Sequence, residues 1–87
     1  METIKHLPIH FTGRGEVKGF KFTLICKTER GFCYEVIQGD IKPHYEVFRR
    51  KINKRFGCES YPTSKAFGIW AWTYITKELA LQKLSAL

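Results

Sequence analysis

Three observations predict an α+β domain of element order β-β-β-α-β-α. Phe20 to Gln38 reads as a hairpin of alternating residues, and His44 to Phe56 carries apolar residues every three or four positions. An aromatic and β-branched run, Ala66 to Ile75, then precedes a capped amphipathic segment. Together they predict an antiparallel sheet of about four strands with two helices packed on one face. Apolar residues make up 44% of the 87 residues and aromatics 15%, enough for one core, so residues 1–87 are read as a single small domain.

The first extended candidate is Ile9-His10-Phe11-Thr12, after Pro8. Gly13-Arg14-Gly15-Glu16-Val17-Lys18-Gly19 follows as a turn or bulged edge. It has neither the spacing of a dinucleotide fingerprint nor the Gly-Lys-Ser/Thr ending of a phosphate loop. In the hairpin, Phe20, Phe22, Leu24 and Cys26 alternate with Lys21, Thr23, Ile25 and Lys27, and Phe32, Tyr34 and Val36 return on the same face. A three-residue loop, Glu29-Arg30-Gly31, keeps these apolar residues together and asks Gly31 for a positive φ. That register sets Cys26 opposite Tyr34 and Cys33 opposite Lys27. The two cysteines then point to opposite faces and form no disulfide.

Gly39 to Pro43 is a loop leading into the predicted helix His44–Phe56, whose stripe is Tyr45, Phe48, Ile52 and Phe56. Gly57 serves as its C-cap. Val47 is the one apolar residue left on the polar side. Cys58 to Lys65 is a loop, and Ala66–Ile75 a strand with Trp70, Trp72 and Tyr74 on one face. That strand is either covered on both sides or presents an aromatic face. Thr76 caps a last helix, Lys77 to about Ala86, with Ala80, Leu81, Leu84 and Leu87 toward the sheet.

Charge is the strongest pointer to a partner. Lys42, Arg49, Arg50, Lys51, Lys54 and Arg55 stand against one acid, Glu46, a net +5 within a chain of +7. On the predicted helix Arg50, Lys51 and Lys54 are outermost. Arg49, Arg50, Lys51, Lys54 and Arg55 are therefore candidate phosphate contacts for nucleic acid. The same charges would suit an acidic protein partner, or serve only as a solvated face. Trp70, Trp72 and Tyr74 form the second candidate surface, for base stacking or for a protein interface; packing beneath a helix is the competing reading.

Lys18-Gly19-Phe20-Lys21-Phe22 resembles the core of an RNA-recognition or cold-shock strand over a few residues, but the element order fits neither fold and the rings fall on the most apolar face. Catalysis finds little support. His6, His10 and His44 lack an adjacent carboxylate pattern, and Cys58 lacks a positioned base. The three cysteines have no paired spacing for metal. The expectation is a non-enzymatic binding module without cofactor or metal, either monomeric or a weak homo-oligomer. With no apolar run approaching the roughly 18 residues of a membrane span and no apolar leader, it is placed in the cytoplasm, away from membranes.

Gly13-x-Gly15-Glu16-Val17-Lys18-Gly19-Phe20, His44-Tyr45-Glu46-Val47-Phe48 and Ser60-Tyr61-Pro62-x-Ser64-x-Ala66-Phe67-Gly68-x-Trp70-Ala71-Trp72 together resemble a family of short reading frames in Bacteroides-type gut bacteria. The resemblance implies a bacterial cytosolic protein, and it carries no catalytic or binding residues to this chain.

Overall fold

Antiparallel pairing organises the chain from His10 to Tyr74 in a computed structural model that describes residues 5–13 and 18–87. The strands are β1 (His10–Thr12), β2 (Lys21–Lys27), β3 (Gly31–Ile37), β4 (His44–Arg49), β5 (Ile52–Asn53), β6 (Cys58–Glu59) and β7 (Ala71–Tyr74). Five of them form one sheet in the order β1-β2-β3-β4-β7, while β5 and β6 make a separate two-stranded ribbon. One helix, α1 (Lys77–Ser85), packs on the sheet. The domain is α+β as expected, with one α-helix in place of two among the described residues. The glycine-rich turn falls partly outside the described residues.

The expected helix His44–Phe56 is instead β4, a bend and the β5–β6 hairpin. Period two competes with period 3.6 in this stretch. His44, Glu46 and Phe48 alternate with Tyr45, Val47 and Arg49, and the pairing available on both sides decides the outcome. β4 lies between β3 and β7, with Val47 opposite Cys33 on one side and Trp72 on the other. Val47, stranded on the helical wheel, is completely buried, whereas Phe56, part of the expected stripe, is 67% exposed. Asn53 ends the extended run. Its Oδ1 accepts from the N–H groups of Arg55 and Phe56, and Gly57 takes φ 61° in the turn rather than at a helix end.

The β2–β3 register also differs from the expectation. Leu24 pairs with Tyr34, Ile25 is inserted as a bulge, and Cys26 then pairs with Cys33. Before the bulge Phe22, Leu24, Tyr34 and Val36 share a face as predicted; beyond it Cys26 turns to the opposite face, beside Cys33. The connecting turn is centred one residue earlier than expected. Thr28 Oγ1 accepts from the N–H groups of Arg30 and Gly31, and Gly31 has no positive φ. Gly31 is required by close approach instead: a Cβ there would lie 2.5 Å from the Phe48 carbonyl oxygen and 2.6 Å from Leu87 Cδ1.

The sheet separates two apolar clusters. On one face Phe22, Phe32, Tyr34, Val36, Phe48 and Ala71 are buried under a cover drawn from the N-terminal segment and residues 61–70. Tyr61 is the keystone of that cover, edge-on to Phe11, Phe22 and Phe48. On the other face Cys33 and Val47 meet Ala80, Leu84 and Leu87, so α1 presents the side predicted for it. Its cap is also as predicted, with Thr76 Oγ1 accepting from Leu79 N–H at 3.3 Å. The last strand is shorter than expected, because Ser64–Ala66 form a 3-10 turn and Gly68, at φ 88°, reverses the chain before Ala71. β7 is an edge strand.

Val47→Ala removes two methyl groups from a filled site and is expected to cost roughly 2 kcal/mol in a denaturant titration. A change within about 0.5 kcal/mol, the usual size at exposed positions, would contradict the strand assignment. Gly31→Ala should cost roughly 1–3 kcal/mol, because a backbone oxygen stands in the way of the new methyl.

Candidate functional site

The five basic candidates do not share a helix face. Arg49 ends β4 on the α1 side, exposed, with its guanidinium 5.9 Å from the centre of the Trp72 ring. Arg50 turns inward and its Nε–H donates to Glu59 Oε2 at 2.6 Å. Lys51 is exposed, with Nζ 5.1 Å from the Trp70 ring centre. Lys54 and Arg55 occupy the β5–β6 turn, where Arg55 lies over its neighbour Phe56 at 5.3 Å.

The aromatic stripe is likewise divided. Trp72 and Tyr74 lie on the α1 face, while Trp70, in the turn before β7, packs edge-on to Phe48 on the opposite face. All three rings are half-buried, so each combines packing with an accessible edge. A cation missed in the sequence completes the arrangement: Lys83 of α1 places Nζ 4.0 Å from the Trp72 ring centre. Arg49 and Lys83 thus flank Trp72 on the α1 face, and Lys51 flanks Trp70 on the opposite face, where β4 ends and β7 begins. The backbone holds this geometry through Arg49 N–H donating to the Trp70 carbonyl at 2.9 Å. The Lys83 signal was unreadable locally, because its contact depends on how α1 docks.

Two carboxylates are buried nearby. Glu59 receives Arg50, the Leu7 N–H at 2.8 Å, His6 Nδ1 at 3.3 Å and Lys27 Nζ at 3.9 Å. Burial pushes this carboxyl up, but its donors outweigh that effect and hold it below the usual carboxylate range. His6, Lys27 and Arg50, with Thr28 and Glu29, line an open cleft of about 560 Å³. Glu29 at the rim and Glu59 behind offset Lys27 and Arg50, so the cleft has little net charge with which to hold an anion.

Glu46 lies on the covered face of β4 and accepts from Tyr61 Oη; His44 Nε2 stands 3.3 Å from it. Burial foremost, and Glu46 next, push the Tyr61 phenol far above its ordinary value, so it remains a donor. His44 and Glu46 are two residues apart, which puts them on one face of a strand but not of a helix. The helical reading concealed that pair. The RNA-motif likeness is also accounted for: Phe22 is buried and stacked on Phe11 at 4.6 Å, and Phe20 packs against the same core. Among the described residues, no three His, Cys, Asp or Glu side chains converge as a metal site, and no helix is long and apolar enough to cross a membrane.

No family model matches the chain, and neither the curated proteins nor the solved structures compared with it include a match.

Replacing Arg50 by Met strands a buried carboxylate and is expected to cost about 3 kcal/mol, whereas replacing Arg50 and Glu59 together by apolar residues should recover much of the loss. Equal losses in the single and double variants would contradict the pairing. Glu59 also sets an acid limit. Its contribution is fully present above the unfolded-state value of about 4.3 and is lost as pH falls through the lower folded-state value. Glu59→Gln should therefore flatten the dependence of melting temperature on pH in the acid range below that value.

Proposed function

We propose that this chain is a non-enzymatic binding module for single-stranded nucleic acid, with its site at the β4–β7 end of the sheet. The supporting observation is that cations lie over half-buried indoles on both faces of this end of the sheet: Lys83 at 4.0 Å and Arg49 at 5.9 Å from Trp72 on the α1 face, and Lys51 at 5.1 Å from Trp70 on the other. A cation over an exposed ring contributes only about 0.5–1 kcal/mol. A phosphodiester offers the same cation a full opposite charge. The lysine can therefore move to phosphate while a base takes its place on the ring, where base–aromatic stacking contributes roughly 1–3 kcal/mol per base. Lys54 and Arg55, on the neighbouring hairpin turn, extend the path for the phosphate backbone. Arg50 is outside this set because its partner is Glu59.

The alternative is a protein interface along the β7 edge, favoured by Ile69 and Ile75, which are 73% and 81% exposed at either end of that strand. Salt separates the two. Phosphate binding by three cations should give a slope of roughly −2 in log affinity against log salt. Titration of a fluorescein-labelled oligonucleotide at several salt concentrations, followed by anisotropy, measures it. Lys51→Glu with Lys83→Glu should abolish binding without unfolding the chain, and Trp72→Leu should weaken it at every salt concentration. A flat salt response, or affinity unchanged in the double variant, would overturn the nucleic-acid reading.

A further inference from the structure

The register of β2 against β3 brings two thiols together. Cys26 and Cys33 are direct cross-strand partners, and both border the cluster formed by Val47, Ala80, Leu84 and Leu87. The bulge at Ile25 makes this possible, since unbroken alternation would send Cys26 to the Leu24 face and away from Cys33. Directly paired antiparallel residues have Cα atoms about 4.5–5.5 Å apart, within the roughly 4.4–6.8 Å that a disulfide spans. We propose that Cys26 and Cys33 form a reversible dithiol–disulfide couple, oxidised by a small-molecule disulfide of the glutathione class.

The environments of the two sulfurs give them different roles. Cys26 is half-exposed and meets the oxidant, while Cys33 is completely buried and resolves the intermediate. Burial foremost, then the neighbouring Cys26, pushes the Cys33 thiol up to about 11 against a lowering influence from Lys77, so it rests as the protonated thiol rather than as the attacking thiolate of the first step. In the first step the Cys26 thiolate attacks one sulfur of glutathione disulfide. The Cys26–glutathione bond forms, the original S–S bond breaks, and one glutathione thiolate leaves and takes up the proton that Cys26 had released. In the second step the Cys33 sulfur attacks Cys26 Sγ while its proton passes to the departing glutathione sulfur. The mixed disulfide breaks, and the second glutathione leaves as the thiol carrying that proton. Two protein thiols lose two electrons, and one glutathione disulfide becomes two glutathione thiols. Cys58 lies apart on the β5–β6 ribbon, opposite Asn53, and serves as an internal control.

The couple is tested on the whole folded chain, equilibrated with glutathione buffers of rising oxidised fraction, quenched in acid and alkylated. Trypsin cuts after Lys27 and Arg30, so the bond would join the Phe22–Lys27 peptide to the one beginning at Gly31. The expected result is that this linked pair rises with the oxidised fraction and disappears on return to reduced glutathione, without involving Cys58. Cys33→Ser should instead retain glutathione on Cys26, and Cys26→Ser should leave Cys33 unmodified. Recovery of Cys33 as the alkylated thiol at every ratio in the wild-type chain would overturn the proposal. So would a stable glutathione adduct on wild-type Cys26, or a linked pair formed only after denaturation.

Discussion

The Glu59 carboxylate joins three separate stretches of the chain. It gathers His6 and the Leu7 N–H from the N-terminal segment, Lys27 from the end of β2, and Arg50 from the bend after β4. The backbone reinforces the same junction, with Lys5 N–H donating to Gly57 O at 2.8 Å and Glu59 N–H to Lys5 O at 2.9 Å. Excluding the carboxylate from water would be costly without these donors. With them, the N-terminal segment and the β5–β6 ribbon are held at the edge of the cover over Phe22, Tyr34 and Phe48. Tyr34 takes part as well, since its Oη donates to the Pro8 carbonyl at 2.6 Å. The arrangement also determines the site, because Arg50, half-buried and held by Glu59, leaves Arg49 and Lys51 on opposite sides of the chain, each beside a different tryptophan.

Much of the fold was legible in local pattern, and the failures have one physical origin. The β2–β3 hairpin, the Thr76 cap and the sheet-facing side of α1 follow from periodicity and capping within a few residues. The stretch from His44 to Phe56 satisfies both periods, and only nonlocal pairing with Cys33 and Trp72 selects the strand. Val47 was the informative residue: an apolar side chain without a place on the helix marked the wrong period. The site was less legible than the fold. Arg49 with Trp72 and Lys51 with Trp70 come to the same end of the sheet on its two faces, an arrangement that depends on a bend dividing the basic run and a turn separating the two indoles. Lys83 and Glu59 owe their positions to contacts with distant segments, which no local spacing encodes.

The β2–β3 bulge shows how much one inserted residue can alter. Without Ile25 out of register, Cys26 would share the face of Leu24 and the cysteines would be separated by the sheet. With it, both thiols lie on the α1 side, close to the turn where Thr28 fastens Arg30 and Gly31. Arg30 continues outward from that turn to the C-terminal end, its Nη1 donating to the Leu87 carbonyl at 3.0 Å. Strand register, thiol placement and helix docking are consequently linked. A bond between the sulfurs would tie β2 to β3 at the point where the end of α1 is anchored.

The charge distribution bears on the open sheet edge. β7 is a short edge strand whose first carbonyl, Ala71, already accepts from the Gly68 N–H, and Ile69 and Ile75 are exposed near its ends, so the rest of the edge is open to apolar contact with another chain. A second copy of the chain would bring its own +7 to the same edge. Arg49, Lys51 and Lys83 stand at one end of that edge, so like-charge repulsion opposes the approach where apolar contact would favour it. A negatively charged partner reverses the sign of that interaction while meeting the same rings. The cations that discourage self-pairing are therefore also those that would admit a polyanion, and both effects weaken together as salt rises.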